Sequence, residues 1–292
     1  MDRPSTLVDR LIHHANAAPQ SCAVASQHGS LSYAELAERV MAETRRLREA
    51  GVAENCVVGL SCDEDLPHLV LCLAVTHLRA TSCTVASYES LEQQRKVLEK
   101  TGATVVVGTN GHVENITRSE AATADPMLHA EPGAKLLFST SGTTGEPKIV
   151  VHRDAGLVAQ AHRHVDAGER FACRASMEHN FVKRHRLYCV AQGATNVFLN
   201  AAPETLVAQY RSLGLTTLHL SSFQARELLG VPGVDALRDL RLKLGGSHVP
   251  AALRELLRAR VTENLQCGYG TTETGAIAFT DPLLLEWHGA GP

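Results

Sequence analysis

No apolar stretch in this sequence approaches the ~18 uninterrupted residues that a membrane-spanning helix requires, so a transmembrane protein is not expected. Basic tracts are missing too. The 28 Lys and Arg stand against 31 Asp and Glu, a formal charge of −3, which gives a nucleic-acid partner no electrostatic support. There is no CxxC pair: Cys22, Cys56, Cys62, Cys72, Cys83, Cys173, Cys189 and Cys267 are scattered singly, most in apolar segments. That fits reduced core thiols in a cytoplasmic protein. The fifteen histidines include His13-His14 and His162-Arg163-His164, but none has cysteine or carboxylate neighbours at metal-ligand spacing, so a zinc site is not expected. The opening MDRPSTLVDRLIHH mixes charges with apolar residues and carries no cleavage pattern of a secretory signal. Internal repeats and low-complexity tracts are absent. So is Gly-Lys-Ser/Thr, the end of a Walker loop, which argues against a kinase-like phosphotransferase.

What the chain does have is the run STSGTTGEPK from Ser139 to Lys148. Gly142 and Gly145 let the backbone turn its N–H groups toward an anion. Ser139, Thr140, Ser141, Thr143 and Thr144 add short donors, and Lys148 adds a point charge. The apolar Lys135-Leu136-Leu137-Phe138 before it reads as a buried strand, which places the loop at a strand's carboxyl end, where α/β sheets bind ligands. The competing reading is a solvated Ser/Thr/Gly linker.

Around this run the sequence alternates. Ser32-Tyr33-Ala34-Glu35 is a capping box, with Leu36, Val40 and Leu47 near helical spacing up to about Ala50. Strands are expected at Val57 to Leu60, Cys83 to Val85 and Ala103 to Val107, with helices from Leu66 to Leu78 and from Ser90 to Lys100 between them. This βαβαβ unit predicts a parallel sheet covered by helices. Residues 109–134 read as a polar loop with short elements. Further on, strands are expected at Asn196 to Leu199, Thr216 to Leu220, Arg241 to Leu244 and Asn264 to Cys267. Helices are expected at Pro203 to Ser212, Ser222 to Leu229 and Pro250 to Ala259. The last strand leads into a second loop, Gly268-Tyr269-Gly270-Thr271-Thr272-Glu273-Thr274-Gly275, and Gly245-Gly246-Ser247 ends the strand before it.

STSGTTGEPK, GGS and YGTTE in that order resemble the acyl-adenylate-forming (AMP-binding) superfamily: acyl-CoA synthetases, luciferases, aryl-acid ligases and peptide-synthetase adenylation domains. LSYAEL near the start and GATNVF fit the same layout. The resemblance implies an α/β fold of two packed parallel-sheet subdomains, layered αβαβα, as in that family's N-terminal core. Residues 56–165, with the loop 139–148, would form one subdomain; 1–55 and 166–292, with the loop 269–273, would form the other.

It also implies an AMP-forming ligase that uses ATP and Mg²⁺ to activate a small carboxylic acid and passes the acyl group to the thiol of CoA or of a carrier protein's phosphopantetheine. Thr140, Ser141, Gly142, Thr143, Thr144, Gly145 and Lys148 would cradle the β- and γ-phosphates. Glu273 would hold Mg²⁺. Thr272 would donate to the α-phosphate or the acyl carboxylate. Tyr269 would stack on adenine, with Gly245, Gly246, Ser247, Gly270 and Thr271 along the nucleotide. Tyr269 as a packed core residue and Glu273 as a solvated loop acid remain open readings.

Acid selection would fall to His179, Asn180 and Gly268. Where amino-acid-activating relatives carry an aspartate, His179-Asn180-Phe181 resembles the His-Asn-aromatic run of aryl-acid ligases, so an aryl or small acyl acid is favoured. The next residues, Lys183-Arg184-His185-Arg186, depart from that family's apolar pattern. They leave open an acidic substrate, a carrier protein, the 3′-phosphate of CoA or a solvated helical face. The family's β-rich subdomain and its small C-terminal domain with a catalytic lysine cannot be placed before Pro292. The expectation is therefore a core that needs a C-terminal part, supplied in trans or in a longer chain. The alternative is a catalytically incomplete module that binds nucleotide or acyl-adenylate.

Overall fold

The computed structural model describes residues 5–109, 112–115, 133–140, 146–200 and 202–280. The chain divides into two compact units: Met1–Val24, Ser30–Ala167 and Ser176–Ala194 form the first, and Ala25–Gly29, Gly168–Ala175 and Thr195–Pro292 the second. This differs from the expected boundaries, because the N-terminal helices and the helix after His179 belong to the unit of the glycine-rich run. The reason lies in their apolar stripes and hydrogen bonds. Helix α1 (Leu7–Ala17) buries Leu7, Val8 and Leu11, and α2 (Tyr33–Glu49) buries Leu36, Val40 and Leu47. Both pack on helices of the first unit. Between them β1 (Cys22–Ser26) and β2 (Gly29–Ser32) carry the chain briefly into the second unit.

The first unit is built on β3 (Val57–Ser61), α3 (Asp65–His77), β4 (Thr81–Thr84), α4 (Leu91–Thr101), β5 (Val105–Gly108), β6 (Val113–Asn115), β7 (Lys135–Thr140), β8 (Lys148–Arg153), α5 (Asp154–Ala161) and α6 (Asn180–Gln192). Its six strands run in the order β6-β5-β3-β4-β7-β8. The inner four are parallel, with β6 and β8 antiparallel at the edges. Helix starts follow local chemistry. Ser32 and Glu35 form the expected capping box on α2, Ser90 caps α4, and Thr6 with Asp9 caps α1. Helix α3 is apolar nearly all round and is buried from His68 to Thr76 apart from Val70, as a helix without a polar face must be.

The second unit contains β9 (Arg170–Cys173), β10 (Thr195–Phe198), α7 (Leu206–Leu213), β11 (Thr217–Leu220), α8 (Ser222–Leu229), β12 (Arg241–Leu244), α9 (Ala251–Arg260), β13 (Leu265–Thr271) and β14 (Gly275–Phe279). Strand order in the eight-stranded sheet is β14-β13-β12-β11-β9-β10-β1-β2. From β10 to β13 neighbours are parallel, whereas β14 returns antiparallel on β13. Pro203 opens a 3-10 turn, Pro203–Thr205, before α7. Strand β13 runs to Thr271 rather than stopping at Cys267. The glycines and threonines of the expected second loop are drawn into a hairpin by β14. None of the eight cysteines is in a disulfide.

Candidate functional site

In the first unit, the glycine-rich run closes a hairpin. Thr140 pairs with Lys148 and Ser139 with Ile149 across β7 and β8, so the chain leaves the sheet at Thr140 and returns at Lys148, whose side chain is exposed. Ser141, Gly142, Thr143, Thr144 and Gly145 lie outside the described residues. Two lysines of α4 fix the return: Lys100 Nζ donates to the Pro147 carbonyl at 2.7 Å, and Lys96 pairs with Glu146 at 3.4 Å. Both are one helical turn apart on one face.

The start of α6 meets the base of this hairpin. Asn180 Nδ2 donates to the Ser139 carbonyl at 3.0 Å. Glu178, buried, accepts from the Ser87 N–H at 2.6 Å and the Ser87 hydroxyl at 2.8 Å. Tyr88 stacks on His179 with ring centroids 4.8 Å apart and planes at 16°, and both rings are exposed. The Met177 N–H donates to Asp65 Oδ1 at 2.7 Å. Ser87, Tyr88 and Glu178 were not legible as site residues in the sequence, because no motif contains them. Their only signal is adjacency: Glu178 precedes His179, and Ser87-Tyr88 follows a strand end.

The basic run is not on a surface. Lys183, Arg184, His185 and Arg186 are all buried, which overturns the solvated helical face and removes them as an exposed docking site for a carrier protein. Lys183 Nζ donates to Thr84 Oγ1 and lies 5.8 Å from the centre of the Phe138 ring. Burial pushes its amine below the usual lysine range. His68 is completely buried, with Nδ1 2.7 Å from the Cys62 carbonyl and Nε2 without a hydrogen-bond partner. Burial, aided by Lys183, holds its pKa well below the ordinary histidine value.

In the second unit, Gly245, Gly246 and Ser247 follow β12 and stand beside Gly268 of β13, since Leu244 pairs with Cys267. Gly246 takes φ +82°, a left-handed conformation that turns the chain toward Ser247. Ser247 Oγ lies 2.8 Å from Ser222 Oγ at the start of α8. His219 of β11 sits under this turn, and a Cβ on Gly245 would be 3.1 Å from its Nε2. Burial first, then Lys243, pushes the His219 imidazole down to about 3, so it is uncharged.

Tyr269 is 67% exposed, which rules out the packed-core reading. At Gly270 a Cβ would lie 2.2 Å from the Gly275 carbonyl oxygen, so only glycine fits the closing of β13 on β14. Beyond it Thr271 accepts from the Thr274 N–H at 3.2 Å and holds a tight tip that presents Thr272 and Glu273. Glu273 is exposed. The predicted site residues that are described therefore form two sets, one at the β7–β8 hairpin and the start of α6, the other at the carboxyl ends of β12 and β13.

A protein-family model for AMP-binding enzymes matches residues 11–291. The chain belongs to that family. Tenellin synthetase of Beauveria bassiana is 24% identical over 98% of this AMP-binding chain, which spans 8% of that protein's length. Phenyloxazoline synthase MbtB of Mycolicibacterium paratuberculosis is 25% identical over 96% of it, and there the chain spans 26%. Among solved structures, VinN superposes with a TM-score of 0.79 at 18% identity, covering 98% of this chain and 80% of VinN. The N-terminal subdomain of Klebsiella oxytoca NpsA, solved with 3-hydroxyanthranilyl-AMSN, superposes at 0.77 and 18% identity, covering 94% and 75%. These structures share the fold.

The donors on each unit of this AMP-binding enzyme suit parts of a nucleotide. Lys148 and Thr140 offer a charge and a hydroxyl at a hairpin mouth, and Tyr269 offers an exposed ring. No cluster of three His, Cys, Asp or Glu exists among the described residues. Glu273 is a single exposed carboxylate, the kind of donor set that suits Mg²⁺, which typically takes one or two carboxylates and completes its shell with phosphate oxygens and water.

Proposed function

We propose that this chain is the core of an AMP-forming ligase that activates an aryl or small acyl acid with ATP. The observation that carries the proposal is that both loop motifs, STSGTTGEPK and YGTTE, fall within the AMP-binding match and stand at carboxyl ends of parallel strands in their own units. Such ends are where α/β sheets receive ligands. In the reaction, an oxygen of the substrate carboxylate attacks the α-phosphorus in line. The new O–P bond forms as the bond to the β-phosphate oxygen breaks, and pyrophosphate leaves with that electron pair. Catalysis then rests on positioning and on neutralising charge. Thr140, Ser141, Gly142, Thr143, Thr144, Gly145 and Lys148 hold the departing pyrophosphate. Thr272 donates to the α-phosphate, Tyr269 faces adenine, and Gly245, Gly246, Ser247, Gly270 and Thr271 follow the nucleotide. Mg²⁺ held by Glu273 supplies charge neutralisation at the phosphates.

His179, backed by Tyr88, borders the acid in the first unit. The stacked Tyr88–His179 pair suits a planar ring, and the aryl ligand of NpsA, 3-hydroxyanthranilyl-AMSN, points the same way. A thiol, of CoA or of a carrier protein's phosphopantetheine, then attacks the acyl carbon: the C–S bond forms, the C–O bond to AMP breaks, AMP leaves with that electron pair, and the thiol proton passes to water. The many-fold longer relatives tenellin synthetase and MbtB favour the carrier protein, and a C-terminal part acting in cis or in trans completes the site. The described helices include none long and apolar enough to cross a membrane, and a cytoplasmic setting is part of the proposal. Acid-dependent exchange of labelled pyrophosphate into ATP, measured over a panel of hydroxybenzoic, anthranilic and short acyl acids with the C-terminal part present, tests the reading. Binding of an acyl-adenylate analogue without exchange for any acid would show instead a module that binds but does not activate.

A further inference from the structure

Three backbone segments converge on Met177 to Asn180 at the start of α6, each tied by the polar contacts of one residue there. The exit of β4 is held by Glu178 through both donors of Ser87, the start of α3 by the Met177 N–H on Asp65, and the exit of β7 by Asn180 Nδ2 on the Ser139 carbonyl. The last contact lands on the residue before Thr140, where the β7–β8 hairpin opens. Ser139 also pairs with Ile149 on β8, so its carbonyl sits between α6 and the strand that begins with Lys148. Among the described residues β8 is an edge strand, paired in the sheet on the β7 side.

We propose that Asn180 is a positioning residue for the phosphate-binding hairpin, fixing where Thr140 and Lys148 stand, rather than a hydrogen-bond donor to the acid. Glu178 serves it by locking the turn from which Asn180 reaches. The inference rests on the proposed adenylating function for its kinetic consequence, but its structural half does not.

Two measurements separate these. In ligand-free protein, hydrogen–deuterium exchange of the Thr140, Lys148 and Ile149 amides is expected to quicken about three- to tenfold in Asn180→Ala, the worth of one neutral hydrogen bond. Asn180→Asp, the same shape without the donor, should match it, while Ser87→Ala should leave these amides unchanged or shift them less. In pyrophosphate exchange, both Asn180 variants should raise the KM for ATP by about the same factor and leave the KM for the acid unaltered. A rise in the acid KM alone, with hairpin exchange unchanged, overturns the proposal. Uniform loosening of the whole unit overturns it as well, because that is the mark of a general packing role. If Asn180→Ala does not fold, the isosteric Asn180→Asp is read by the same criteria. Should wild-type protein exchange pyrophosphate with no acid, the adenylating function is what fails, and the hydrogen-exchange result still decides the role of Asn180.

Discussion

Lys148 is exposed at the start of an edge strand, and in the proposed function its charge serves bound phosphate rather than packing. Lys148→Ala is therefore expected to lower acid-dependent pyrophosphate exchange by about 10²-fold, the usual loss for one donor at developing charge, with an unchanged thermal midpoint. A parallel loss of stability would show that the side chain is structural. Gly270 presents the opposite case. Its Cβ would enter the space of the Gly275 carbonyl and come within 2.8 Å of the Ala276 Cα, and backbone cannot move aside as a flexible side chain can. Gly270→Ala should cost about 1–3 kcal/mol of local stability, read as faster amide exchange from Gly268 to Phe279 while β9 and β11 keep their protection. The glycine was read in YGTTE only as a residue along the nucleotide. Its actual reason, the approach of β14, was not legible, because the partner strand follows the motif and carries no motif of its own.

Helix α6 shows what a pattern-based reading of an element can and cannot supply. The capped helices α2 and α4 and the parallel strands between them were legible, since capping boxes and apolar periodicity are local. Residues 183–186 were not. A run of four basic residues matches a solvated face in any window of sequence, and what buries it comes from afar: Thr84 at the end of β4, Phe138 in β7 and the helix α3 around His68. Lys183 then works against folding. Its folded-state pKa is lowered, so between that value and the unfolded lysine value near 10.4 the unfolded chain binds more protons, and stability rises with pH in that window. At neutral pH the folded state bears this penalty. Lys183→Met keeps the length of the side chain and removes the buried amine, so it is expected to leave stability equal or higher at pH 7, as for buried charges replaced by apolar groups of like volume. It should also flatten the alkaline rise. Urea unfolding of both proteins at pH 7 and pH 9.5 checks this, and a clear loss of stability at pH 7 would show that the Thr84 contact outweighs the desolvation.

At the scale of the whole molecule, burial holds a histidine uncharged in each unit: His68 in the first and His219 in the second. Both are held neutral chiefly by burial, His219 down to about 3. In the unfolded chain both regain a pKa near 6.5. Below that value the unfolded state takes up protons that the folded state refuses, so the stability present at pH 7 and above is lost as pH falls. The loss approaches about 1.4 kcal/mol per pH unit for each histidine, well before most carboxylates begin to titrate. Because the two residues lie in different units, the effect is separable. Amide exchange in α3 reports the first unit and exchange in β11 the second. Lowering pH from 7 to 5 should reduce the opening free energy of both segments, after correction for intrinsic exchange, whereas His219→Gln should blunt the pH dependence in β11 alone. A flat profile in either segment over this range would mean that its histidine meets solvent before the unit unfolds, and would remove burial as the source of acid lability there.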